Sequence, residues 1–221
     1  MKPLSIRLIK SFELILVASI LAFGFCRNIQ DVPFHPDESQ WIATSFYFES
    51  LLKSDSALPV WTNFDPSWSN QSQTVWVANN WTLTQPPLAR YIIAVGRLVG
   101  GYHVMDLNFP WEFKLGIEEN EVLGSMPTQG LLWWSRLPMA LLAVASGLLL
   151  FLFVKESAGR VAGYVFSFLY ILNPYLSITL RRAMGESSLL FFTLVATFAG
   201  ISALAASDKV RCANQVPPSS R

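Results

Sequence analysis

The chain has 221 residues, of which 52% are hydrophobic and only 14% charged, and its mean hydropathy is +0.38. Soluble domains carry about a quarter charged residues, so an ordinary soluble domain is excluded. With 16 basic and 15 acidic residues the net charge is +1, which offers no basic field to a nucleic acid. The two cysteines, Cys26 and Cys212, form no disulfide framework and stand at no metal-ligand spacing.

In chain order, the first apolar run is the uncharged Leu14 to Cys26, preceded by Lys2, Arg7 and Lys10. A secretory signal peptide has the same outline, but this run ends Ala22-Phe-Gly-Phe-Cys26, without the small residues of a cleavage site. An uncleaved first span over about residues 11–28 is therefore expected. Glu13 is expected to snorkel toward the basic head.

Residues 29–130 follow as one large outer loop. It opens with His35-Pro36-Asp37-Glu38-Ser39-Gln40-Trp41, leading into an aromatic helix through Trp41, Phe46, Tyr47 and Phe48. Later comes Thr84-Gln85-Pro86-Pro87-Leu88-Ala89-Arg90, which opens a second helix reaching Tyr102. Apolar runs of about 10–14 residues are short for a span, and Arg90 and Arg97, seven apart, share one helical face. This predicts an amphipathic helix lying on the membrane. All eight tryptophans fall in the loop or at its end, as aromatic belts at a membrane surface do.

Three further spans are predicted over 131–154, 161–180 and 187–206, since about 20 residues at 1.5 Å each cross a hydrocarbon layer of ~30 Å. Residues 207–221 form a tail ending in a Pro-Pro-Ser-Ser run and Arg221. The fold class expected is all-α: a polytopic helical membrane protein of about four spans, with two juxtamembrane amphipathic helices in the outer loop.

Charge orients this arrangement. The tight Lys155-Glu-Ser-Ala-Gly-Arg160 turn, the basic N-terminus and the tail together carry five more basic than acidic residues, while the outer segments carry four more acidic than basic. The positive-inside rule then places both termini in the cytoplasm and the large loop outside. The sequons Asn70-Gln-Ser72 and Asn80-Trp-Thr82 lie in that loop.

Several ionisable residues gather at the outer face. Asp37 and Glu38 suit a helix N-terminus, where Asp37 with Gln40 comes close to a capping box; a carboxylate pinned there could equally act on a lipid-borne substrate. Arg90 suits contact with a phosphate headgroup. Arg136 lies one turn inside an apolar span, where an ionisable residue is either functional, with a partner in the bundle, or snorkels outward. The pair Arg181-Arg182 runs against the charge rule, and guanidinium groups match phosphate oxygens bidentately. Glu186 is a salt-bridge partner, a helix N-terminal acid or a metal ligand. Carboxylates and arginines at a bilayer boundary suit displacement at a sugar carbon with a lipid phosphate as the leaving group.

In this order the motifs resemble the N-terminal half of the lipid-carrier-dependent glycosyltransferases of the GT-C superfamily, in particular the protein O-mannosyltransferase and aminoarabinose-transferase-like group (family 39-like). The residues concerned are Asp37-Glu38 after the first span, Gln85-Pro-Pro-Leu-Ala-Arg90, Ser135-Arg136-Leu137-Pro138, and Leu180-Arg181 through Glu186. The resemblance covers about residues 10–206. It implies an inverting transferase that moves a sugar from a polyprenyl-phosphate carrier to a hydroxyl acceptor on a protein, lipid or glycan. It further implies Asp37 as catalytic base, Glu38 as its neighbour or an acceptor-side ligand, and Arg90, Arg136, Arg181 and Arg182 as phosphate-side or structural arginines. His35 is an additional candidate. Gln85 stands where the group has His or Lys, and Glu186 where many members have Asp. No cofactor is implied outright; a divalent metal is left open. Members of the group have more spans than four, so the resemblance also implies the N-terminal part of a longer enzyme. The contrasting expectation is a non-catalytic four-span protein, a relic or a subunit that needs a partner.

Overall fold

The computed structural model describes residues 3–53 and 87–214. These are all-helical, without a strand among them. The helices are α1 (Pro3–Cys26), α2 (Pro36–Ala43), α3 (Tyr47–Lys53), α4 (Pro87–Val99), α5 (Ile117–Val122), α6 (Gln129–Ala158), α7 (Arg160–Leu172), α8 (Pro174–Thr179) and α9 (Glu186–Asn214). The sequons, Gln85, residues 215–221 and four of the eight tryptophans (Trp61, Trp68, Trp76, Trp81) lie outside the described residues.

α6 organises the rest. Thr128 caps it by accepting from the Leu131 N–H, and its 30 residues extend about 45 Å at 1.5 Å each. Its second half packs between α1 and α7, around Val17, Leu21, Phe25, Ala143, Phe151 and Tyr170. Gly147 permits this closeness, because a Cβ there would stand 2.9 Å from both Leu21 and Tyr170. The first half of α6 packs instead on α2, α4 and the turn before α9, around Trp41, Ile42, Ala89, Ile93, Leu131, Met139, Ala183 and Met184.

Two described helices are long and apolar enough to cross a membrane, Gln129–Ala158 and Glu186–Ser207; Ser11–Cys26 and Arg160–Leu172 are shorter apolar helices. The expected span over 161–180 is interrupted. Pro174 starts a new helix, and Asn173 caps it by accepting from the Leu176 N–H at 3.1 Å. A proline provides no N–H to continue the preceding helix. The 155–160 segment is a tight turn as expected, made by Gly159 at φ 94°, where a side chain would be strained.

Glu13 does not snorkel. It is buried, and its carboxylate accepts from Lys155 Nζ (2.5 Å), Arg160 Nε (2.8 Å) and the Tyr164 hydroxyl (3.1 Å). This cluster fastens α1 to the α6–α7 hairpin at one end of the bundle. The Asp37–Glu38 segment lies at the other end.

α4 also differs from the expectation of a helix resting on a surface with its arginines outward. Arg90 and Arg97 are enclosed, while Leu88, Val95 and Val99 are exposed. Against α6 the helix approaches closely at Gly96, where a Cβ would stand 2.5 Å from the Trp134 carbonyl oxygen. Pro138 lies inside α6, and lacking an N–H it leaves that carbonyl, four residues back, without its helical donor.

Candidate functional site

The site grows from the start of α2. His35 is the N-cap and Pro36 the first helical residue. The Asp37 N–H donates to His35 Nδ1 at 3.2 Å, and the His35 N–H donates to Glu38 Oε2 at 3.1 Å. The cap is therefore His35 with Glu38 three residues on, instead of Asp37 with Gln40. Gln40 turns inward and donates to the Trp111 carbonyl at 2.8 Å.

Glu38 and Arg136 are both fully enclosed and form a two-pronged ion pair. Arg136 Nε donates to Glu38 Oε1 (2.8 Å) and its Nη2 to Oε2 (2.7 Å). Arg136 Nη1 donates to the carbonyls of Ile29 (3.0 Å) and Val32 (2.9 Å). The Ala183 N–H also donates to Glu38 Oε1 at 2.8 Å. One guanidinium and one carboxylate thus join the segment after α1, the cap of α2, the first third of α6 and the turn before α9. Arg136 does not snorkel: it is fully buried. Its partner is Glu38, and the two act as a staple.

Asp37, the residue before Glu38, has the opposite environment. Its side chain is 34% exposed and that of His35 40%, with His35 Nδ1 3.6 Å from an Asp37 carboxylate oxygen. Glu186, at the start of α9, lies within electrostatic reach of Asp37, His35 and Arg182. One Glu186 oxygen, Oε2, is shielded from solvent without a hydrogen-bond partner. Arg182 Nε donates to the Pro33 carbonyl at 3.3 Å, and Arg181 donates to the Arg27 carbonyl. His35, Asp37, Glu186 and Arg182 are therefore assembled from segments 150 residues apart in sequence.

Beside this group lies an apolar cleft of about 350 Å³, lined by Trp41, Leu88, Ala89, Glu186, Ser188, Leu189 and Phe192. Trp41 forms one wall. It lies against Gly185, where a Cβ would meet the indole at 3.2 Å, and the Arg90 guanidinium stands 4.7 Å from its ring centre. Arg90 is only 2% exposed, so it makes no headgroup contact. Burial pushes its guanidinium down to about 10, leaving it charged at neutral pH.

The acceptors for the arginines of α4 come from a break between α2 and α3. Thr44 and Ser45 hydroxyls donate back to the carbonyls of Gln40 and Ile42, both at 2.6 Å, an arrangement that bends helices. The same hydroxyls accept from Arg90 Nε (2.8 Å) and Arg97 Nε (2.7 Å). Arg97 completes its set with Glu49 Oε2 and the Tyr102 carbonyl. The aromatic segment predicted as one helix is therefore two, joined by a 3-10 turn over Thr44–Phe46.

Sequence reading did not find the Arg97–Glu49 pair, the Glu13 cluster or the Ser39–Asn108–Ser125 knot, in which Asn108 Nδ2 donates to Ser39 Oγ at 2.8 Å. Charged residues in apolar surroundings were the available signal for the first two. Among the described residues no group of three His, Cys, Asp or Glu side chains could hold a metal ion. Comparison with family models, curated proteins and solved structures finds no match to this chain.

Proposed function

We propose that the chain is a membrane glycosyltransferase module that moves a sugar from a polyprenyl-phosphate carrier to a hydroxyl acceptor, with inversion, at the outer membrane face. The observation that carries this reading is the division of labour between neighbouring carboxylates. Glu38 is consumed by Arg136, whereas Asp37 is left partly exposed near Glu186, which lines the apolar cleft and is reached by Arg182.

In this reading Asp37 is the base. The acceptor oxygen attacks the anomeric carbon and gives its proton to Asp37; the bond from that carbon to the phosphate oxygen breaks, and its electron pair leaves with the phosphate. A positioned base contributes about 10²–10⁴-fold. Arg181 and Arg182 face the leaving phosphate, while Glu38, Arg136 and Arg90 hold the scaffold. The spans are α1, α6, α7 with α8, and α9, with both termini in the cytoplasm.

Two experiments test it. In lipid vesicles supplied with a polyprenyl-phosphate sugar and hydroxyl acceptors, Asp37→Asn removes transfer while the protein still inserts; full activity in that variant rules out Asp37 as base. In a cysteine-free background, Ser157→Cys reacts with an impermeant thiol reagent only from the cytoplasmic side and Lys114→Cys only from outside, and the reverse pattern overturns the orientation.

One observation favours a second reading, a non-catalytic membrane subunit: Arg90 and Arg136 are enclosed, which withdraws two of four candidate arginines from any phosphate. Absence of transfer by the unmodified chain in the same vesicles supports that reading.

A further inference from the structure

One nitrogen of His35 faces two incompatible tasks. Nδ1 accepts the Asp37 N–H at 3.2 Å, which requires a lone pair there and puts the single proton of a neutral imidazole on Nε2. The same Nδ1 stands 3.6 Å from a carboxylate oxygen of Asp37, a contact that becomes an ion pair only when Nδ1 carries a proton. Protonation therefore exchanges one partner for the other within a single residue.

The surroundings favour both states in turn. On its own helix the imidazole faces Asp37, and its backbone N–H is held by Glu38. Across from it are Glu186, at the start of α9, and Arg182, whose Nε donates to the Pro33 carbonyl. Arg136 lies behind Glu38 and neutralises it, so the carboxylates near the ring are Asp37 and Glu186, and Arg182 acts on Glu186. With 40% of its side chain exposed, His35 exchanges protons freely with solvent.

We infer that His35 is a positioning residue that gates Asp37. Neutral, it caps α2 through the Asp37 amide and leaves the Asp37 carboxylate open to an acceptor hydroxyl. Protonated, it releases the amide and donates from Nδ1 to that carboxylate, occupying the lone pair a base needs. The gate closes as acid protonates the imidazole. Its catalytic consequence rests on Asp37 being the base as proposed above; its structural part does not.

The test has two arms. The chain contains two histidines, so His103→Gln leaves His35 as the sole imidazole for ¹⁵N NMR of the full chain in nanodiscs. At pH 8 the expected spectrum has the proton on Nε2 with Nδ1 as acceptor, and on acidification the Asp37 amide resonance shifts in step with the imidazole. A proton on Nδ1 at pH 8, or an Asp37 amide that ignores the titration, overturns the inference. In the second arm, transfer by the unmodified chain falls on acidification in step with protonation of the imidazole seen by NMR. His35→Asn keeps an N-capping acceptor without titrating, so the acid limb that follows the imidazole is lost from whatever rate the variant retains. An unchanged acid limb in His35→Asn overturns the gate. If the unmodified chain transfers no sugar, the function proposed above has failed, and the NMR arm still decides the histidine's role.

Discussion

The two ends of the bundle use the same device with different outcomes. Each has a buried glutamate held by an arginine, Glu38 with Arg136 at one end and Glu13 with Arg160 and Lys155 at the other. At the first end both partners are fully enclosed; at the second the cations keep 24% and 58% of their side chains exposed. The enclosed pair is surrounded by backbone donors and acceptors and adjoins a second carboxylate, a histidine and an apolar cleft. At the Glu13 end the one buried carboxylate is taken up by three donors, Lys155, Arg160 and Tyr164. A clamp suffices to explain that end. The Asp37 end holds groups its own scaffolding does not use, and the proposed chemistry is placed there for that reason.

Substitutions at the two ends separate these roles. Arg136→Met has the largest expected effect, a loss of about 3–5 kcal/mol in thermal or denaturant unfolding, because Glu38 is left charged and unpaired in an enclosed site. Removing both charges in Glu38→Leu with Arg136→Met recovers much of that loss. A single variant as stable as the parent breaks the claim that this pair is the staple. Glu13→Gln lowers the melting temperature by less than Arg136→Met, since Lys155 and Arg160 regain water. Added salt weakens the Glu13 cluster, whereas the enclosed pair responds little. Equal salt responses would erase the distinction between the ends. Asp37→Asn has the smallest expected effect on unfolding, within about 0.5 kcal/mol as for surface substitutions, although under the proposed function it removes transfer. A large loss of stability there would make Asp37 part of the scaffold.

The fold was legible where it depends on composition and local pattern. The apolar blocks at 131–154 and 187–206 lie within the helices Gln129–Ala158 and Glu186–Ser207, and Lys155 to Arg160 form the expected tight turn because a glycine with φ near 94° can close it. Pro174 also carried its signal locally, as a proline that starts a helix. The roles of individual charges were much less legible. Arg90 and Arg97 share a helical face, but periodicity cannot say whether that face meets water or protein. It meets Thr44 and Ser45, hydroxyls more than forty residues away.

Asp37 and Glu38 are adjacent and chemically alike, so nothing in their order distinguishes a base from a staple. The sequence by itself determined a helical chain with apolar runs long enough to cross a membrane and its ionisable residues in a few clusters, because helix formation and apolar run length are local properties. Only the tertiary structure decided which carboxylate remains available. Helix packing carries Arg136 to Glu38, 98 residues away, and once that enclosed pair forms, Asp37 is left facing out beside His35 and Glu186.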